Sequence, residues 1–317
     1  MRGQIRTVTG DLPAEQLGLT LMHEHLYTDL RPIKTREESA APTEAVLASE
    51  LPLLAEAREA GVSLLVECTP PGIGRTPLLY RQISEASGVG VVAATGLYKE
   101  PLIPAIAYDW SHAQIVDWMT AEIEEGMLEE ALTGQLGAER TDVRAGLIKL
   151  ASSDQGLQEV EAKTLRAAIE AARRTGAPIA SHSTRAGSAL AQLAILERES
   201  GDPGRFVVVH SSAEPDFANH REYARRGAWV EYDSIGATPD DQMVDLILRA
   251  LDAGLVGQLL LSQDVCGWLV GRPNGGNDRR YAYLLSDFLP KLRAAGVSDA
   301  DLQTILVENP RKILSFA

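Results

Sequence analysis

Of the 6 histidines in the chain, His23, His25, His182 and His210 each stand at or just past the end of a short apolar run. His23 and His25 are two apart in a segment that reads as extended, so both imidazoles project to the same side. Neutral imidazoles in that arrangement suit chelation of a divalent cation such as zinc. An isolated His-x-His is more often just two polar residues in a loop, and the other two histidines are what shift the balance here. Asp264 follows the apolar run 259–262 and can both ligate a cation and take a proton from bound water. Lys149 closes the apolar run 145–150, where a bare ammonium is costly to bury. Three readings fit it: a salt bridge, for which Glu67 is available; a snorkelling chain; or a lysine that has added carbon dioxide, giving an anionic carbamate between two cations. His112 and His220 fall in helix or loop context and are expected on the surface.

These residues need a frame that brings positions 23 and 264 together. Eight β-branched or apolar runs recur, at 19–22, 62–66, 89–94, 145–150, 178–181, 206–209, 228–232 and 258–262. Between them lie segments of helical period, notably 43–60, 159–175 and 240–253, each stopped by a glycine (Gly61, Gly176, Gly254). The alternation predicts an α/β fold with a parallel sheet. An open doubly wound sheet would give the same alternation. The polar residues favour closure: His23, His25, Glu67, Tyr98, Lys149, His182, His210, Asp233 and Asp264 all sit at strand carboxyl ends, which a (β/α)8 TIM barrel gathers on one face. One barrel domain accounts for residues 1–317. The stretch 95–144 is longer than one crossover and predicts two helical pieces around 115–130. The stretch 265–278, rich in Gly, Pro and Asn, predicts a long functional loop in which Trp268, Leu269 and Val270 form an apolar wall.

Composition narrows the partners. A net charge of −14 disfavours nucleic acid, which is held by clustered Lys and Arg. No apolar run approaches the roughly 20 residues that span a bilayer, and the amino terminus lacks an apolar signal segment. The 2 cysteines, Cys68 and Cys266, make no disulfide framework, and a cytoplasmic location is the expectation.

Several segments together resemble the phosphotriesterase family of the amidohydrolase superfamily. They are His23-Glu24-His25-Leu26, Gly72-x-Gly74-Arg75, Thr95-Gly96-Leu97-Tyr98, Gly146-Leu147-Ile148-Lys149-Leu150-Ala151, Ser181-His182-Ser183, Leu261-Ser262-Gln263-Asp264 and Glu308-Asn309-Pro310-Arg311. The resemblance runs through the whole chain in order. It implies a binuclear centre at the barrel mouth, with His23, His25 and Asp264 on the more buried cation and His182 and His210 on the more exposed one. Carboxylated Lys149 and a hydroxide would bridge the two. Zinc is the first expectation for both ions, with cobalt, manganese, nickel and iron sharing the donor preference. Asp264 would orient the hydroxide and move its proton, and Tyr98 resembles a tyrosine of the lactonase branch. Tyr98, Cys266 and Trp268 would contact substrate. Relatives of this kind tend to be homodimers.

The activity so implied is hydrolysis of lactones or related esters, with organophosphate triesters as side substrates. Ser211-Ser212-Ala213 lacks the acidic residue that paraoxon-type members use in proton relay, and Asp233-Ser234 stands where the lactonase branch has Asp-Arg. Gly275-Gly276 and Tyr281-x-Tyr283-Leu284 look more like the phosphotriesterase homology proteins. A phosphotriesterase or phosphodiesterase specialist, a mononuclear deaminase-like site and a metal- or ligand-binding barrel without turnover are the alternatives.

Overall fold

A computed structural model describes residues 3–33, 36, 41–131, 134–276 and 279–316. Asn277 and Asp278, the last two positions of the expected 265–278 loop, lie outside them. An antiparallel hairpin (β1 Gln4–Thr7, β2 Gly10–Pro13) precedes β3 Leu19–Glu24, β4 Val62–Glu67 and β5 Gly90–Leu97. A second hairpin (β6 Leu128–Glu130, β7 Leu136–Arg140) intervenes before β8 Leu147–Ala151, β9 Ile179–His182, β10 Phe206–Val209, β11 Trp229–Tyr232 and β12 Leu259–Leu261. Strands β3, β4, β5, β8, β9, β10, β11 and β12 are the eight expected. They pair in that order, all parallel, as one 8-stranded sheet.

The sheet curls until its first and last strands meet. His23 N–H donates to Ser262 Oγ (2.8 Å), Asp264 N–H to His23 O (3.0 Å) and His25 N–H to Val265 O (2.8 Å). The eight parallel strands thus form a near-closed barrel. Parallel strands are covered on both faces, which is why Phe206–Val209 is apolar and buried throughout. Alternate residues fill the interior, among them Leu64, Val66, Val92, Ala94, Val207 and Leu260, joined by Ile5 and Ile313 from outside the barrel strands. The outward set packs under the helices, including α1 Thr43–Glu59, α2 Pro77–Ser87, α3 Ile106–Asp109, α4 His112–Glu124, α5 Glu159–Thr175, α6 Ala186–Arg198, α7 Phe217–Arg225 and α8 Asp240–Asp252. Helix α5 stops at Gly176, whose φ of 80° suits a residue without Cβ.

The excursion between β5 and β8 corrects the sequence reading. One helix, α4, runs to Glu124, and the second expected helical piece is the β6–β7 hairpin. Ile123, Met127 and Leu128 carry helical spacing. The chain nevertheless turns at Gly126, after which Met127 N–H pairs with Val143 O (2.7 Å) and Leu128 N–H with Glu122 Oε1 (3.0 Å). Tertiary partners override the local period there. Among the described residues, no helix is long and apolar enough to cross a membrane.

Candidate metal centre

Strand alternation builds the first part of the site. On β3 and just past it, His23 and His25 face the cavity, while Glu24 between them points away into the seam. There it accepts from Val265 N (2.7 Å), Ser262 Oγ (2.8 Å) and Gln263 N (3.1 Å). Lys149 sits mid-strand on β8, buried, with Nζ 3.5 Å from His23 Nε2. Its register neighbour on β5 is Gly96, where a Cβ would stand 2.0 Å from Lys149 O, so only glycine lets the two strands come this close. His182 ends β9, and His210 and Asp264 follow β10 and β12. His210 (φ 62°) and Asp264 (φ 52°) are non-glycine residues in the left-handed region, strained backbone of the kind that collects at functional sites.

The side chains converge. Ring centroids lie 5.2 Å apart for His23 and His25, 4.9 Å for His23 and His210, and 4.4 Å for His182 and His210. With Lys149, Asp264 and Tyr98 they line one cavity of about 220 Å³, whose apolar side is Leu30, Ile73 and Leu269, with Thr28 and Cys266. Tyr98 meets His182 edge to face at 5.7 Å, and burial pushes its phenol well above the usual range.

The donor set fits a divalent cation. Asp264 Oδ1 lies 3.6 Å from His23 Nε2 and 3.3 Å from His25 Nε2. Two ligands each about 2.1 Å from a tetrahedral ion stand roughly 3.4 Å apart. His23, His25 and Asp264 offer atoms all within 4.8 Å of one another. Protonation agrees: burial, then the Lys149 charge, pulls His23 down to about 3, and burial with His210 and Lys99 keeps His182 well below its usual value, so both rings are neutral donors. Burial opposes a charge on His25 too, but Asp264 and Glu67 outweigh it and raise it to about 9. Burial likewise works against an ionised Asp264, yet His23 and His25 hold its carboxyl well below the ordinary range. That corner draws positive charge, as a proton or as an ion.

Behind the ligands stands Asp233. Its Oδ2 lies 2.9 Å from His23 Nδ1 and 3.0 Å from His210 Nδ1, and it accepts His210 N–H at 3.0 Å. His23, His210 and Asp233 could also be read as a chelating set. Hydrogen-bond lengths at both Nδ1 atoms instead make Asp233 the group that fixes the rings and turns Nε2 inward. Thr69 Oγ1, 2.7 Å from His25 Nδ1, does the same for His25.

Over residues 3–314 the chain matches the model of the Phosphotriesterase family. The chain belongs to that family. It is 31% identical to a phosphotriesterase homology protein of Escherichia coli (strain K12), over 92% of this chain and 96% of the relative. It is 29% identical to a phospho-furanose lactonase of Mycoplasmopsis synoviae (strain 53), over 98% and 91%. Among solved structures, an organophosphorus hydrolase from Deinococcus radiodurans superposes with a TM-score of 0.87 at 30% identity, covering 99% of this chain and 97% of that one.

Within this family member, the six expected ligands, Tyr98 and Cys266 all border one cavity. Trp268 does not join them: its indole packs on Gly275, where a Cβ would come within 2.7 Å of the ring. His112 is at the surface, paired with Glu170 (2.9 Å). His220, expected there too, is buried, within hydrogen-bonding reach of Tyr232 Oη (2.8 Å) and Glu214 O (2.9 Å), because α7 lays it against β11. Glu67 is not bridged to Lys149; it accepts from Leu26 N and from Thr69 N (2.9 Å). Two contributors were missed. Asp233 was visible as a strand-end acid but had no role, and Lys99, with Nζ 2.9 Å from His182 Nε2, gave only the signal of a cation next to Tyr98.

Proposed function

We propose that this chain is a binuclear metal-dependent hydrolase of lactones or related esters, with organophosphate triesters as side substrates. One observation carries the reading: four imidazoles, Lys149 and Asp264 border a single small cavity that also has an apolar side. The names of the M. synoviae lactonase and the D. radiodurans hydrolase support it by descent. Paired divalent cations supply Lewis acidity and lower the pKa of water there. His23, His25 and Asp264 would hold one ion, and His182 and His210 the other. Zinc leads, with cobalt, manganese, nickel or iron serving the same donors.

Lys149 would bridge them as a carbamate. Its buried Nζ has one hydrogen-bonding partner among the described residues, His23 Nε2 at 3.5 Å, and an unneutralised ammonium is costly in such a place. Carboxylation turns that cation into an anion between the two ligand sets. Asp264, held ionised, is placed to take a proton from the attacking water and pass it to the leaving group. Tyr98 keeps its phenolic proton and can donate it as a hydrogen bond to substrate oxygen. Leu30, Ile73 and Leu269 receive the ring or acyl part. Assembly as a homodimer belongs to the same reading, and light scattering tests it.

The deciding experiment pairs elemental analysis with ¹³C NMR of protein equilibrated in labelled bicarbonate. Two metals per chain and a carbamate resonance lost in Lys149→Ala are expected, with part of the activity restored to that variant by short carboxylic acids. Parallel rates on a γ-lactone, an acyl homoserine lactone and paraoxon should rank the lactones first. One metal per chain, or no turnover on any ester, overturns the proposal.

A further inference from the structure

We propose that Lys99 is a specificity-determining residue that holds an anionic substituent of the substrate, a carboxylate or a phosphate monoester, beside the scissile ester. This rests on the ester-hydrolase reading above and names the substrate class of that same site.

Lys99 lies two residues past the end of β5, directly after Tyr98. Its Nζ is 2.9 Å from His182 Nε2, 3.4 Å from Ser152 O and 3.4 Å from Asp154 Oδ1, and the side chain is only 17% exposed. The shortest of these contacts needs an acceptor nitrogen on His182. A neutral imidazole has one acceptor nitrogen and one N–H. Whichever nitrogen His182 gives to a cation, the other carries the proton, and neither can then accept from an ammonium. Loading the site therefore releases Lys99 from its closest partner.

The remaining partners hold it weakly. Asp154 is 48% exposed, and its Oδ1 already accepts from Thr184 Oγ1 at 2.6 Å. An ion pair at 3.4 Å with so exposed a carboxylate contributes little. The released ammonium is left in a poorly solvated position beside the His182 ring, where a charge-assisted contact gains strength.

The cavity is thus two-sided. Leu269, Leu30 and Ile73 follow β12, β3 and β4 and offer nothing to an anion, whereas Lys99, Ser152 and His182 come from the β5, β8 and β9 side. The chain carries −14 overall, a field that repels anions but is screened within about 8–10 Å in salt. An anionic substrate entering such a protein needs a local cation at the site itself, and Lys99 is placed to be one.

The test is binding to the metal-loaded protein, independent of turnover. Tetrahydrofuran-2-carboxylate, its carboxamide and tetrahydrofurfuryl phosphate are ring analogues without a scissile ester, and calorimetry reads their affinities. The wild type should prefer one of the anions over the carboxamide by about tenfold or more, the ratio one charge-assisted hydrogen bond carries. The two anionic arms tell carboxylate from phosphate. Lys99→Met should bind anion and carboxamide alike, Lys99→Arg should keep most of the preference, and Asp154→Asn, which removes the competing carboxylate, should increase it. An unchanged anion preference in Lys99→Met overturns the proposal, since the cations alone would then hold the anion. Loss of metal from Lys99→Met overturns it too, by assigning the residue to site assembly. A protein that shows the preference yet cleaves no ester would sink the hydrolase reading and leave Lys99 as an anion site.

Discussion

Arg75 and Glu122 are buried as deeply as His23 and Lys149, yet the two clusters face opposite ways. The Glu122 carboxylate takes four donors: both Arg75 Nη atoms, Thr95 Oγ1 (2.6 Å) and Leu128 N (3.0 Å). Arg75 also reaches Leu128 O (2.6 Å). That pair turns its charge inward and clamps β6 to the end of α4. Around the cavity the reverse holds. Asp233 and Thr69 occupy the outer nitrogens of the histidines, while His23 Nε2, His25 Nε2 and Asp264 Oδ1 point at one another across 3.3–3.6 Å. Burial and charge do not separate a structural cluster from a chemical one; the direction of the lone pairs does.

The comparison can be broken experimentally. Arg75→Met leaves a buried carboxylate without its cation and should cost about 3–5 kcal/mol in urea unfolding, whereas the double variant Arg75→Met/Glu122→Leu should recover most of it. Metal content per folded chain should not change, and a loss of metal in Arg75→Met would merge the two clusters into one. Asp233→Asn should do the opposite, weakening metal affinity by about 10–100-fold while the metal-free protein unfolds closer to the wild type than Arg75→Met does. Titration with a chelator measures it, and wild-type affinity would strip Asp233 of its positioning role.

A third buried acid sharpens the contrast through pH. Glu50 Oε2 accepts from Tyr281 Oη (2.9 Å), while its Oε1 has no hydrogen-bonding partner and packs on Gly267, where a Cβ would come within 2.0 Å. Burial, reinforced by Glu67, raises its carboxyl from 4.5 to about 8. A raised folded-state value favours the fold below the unfolded pKa, and that contribution is lost as pH rises through about 8. Glu50→Gln should therefore lose less stability between pH 5 and 9 than the wild type, the gap widening toward alkaline pH. Parallel unfolding midpoints across that range would remove Glu50 as the source.

Much of this was legible in residue order. All eight barrel strands stood out because fully covered parallel strands are apolar end to end, and the ligands stood out because each follows such a run. What escaped reading is long-range. Nothing local tells that Asp233 sits under His23 and His210, or that Lys99 reaches His182. The β6–β7 hairpin hid behind a helical period that Gly126 and the Val143 pairing override. Trp268 follows Cys266 in the same loop, yet its ring is spent on Gly275 rather than on the cavity. His220 looked like a surface residue because the sequence does not show which face of α7 meets β11.

The seam between β3 and β12 has a consequence for how the protein is made. His23 leaves the ribosome some 240 residues before Asp264, yet the two are hydrogen-bonded neighbours and the first and last strands of the ring both bear ligands. A nascent chain lacking its final strand can present histidines but cannot complete the chelate. Capture of the ion should therefore follow translation, and because it ties the earliest and latest segments together, it should slow their separation most.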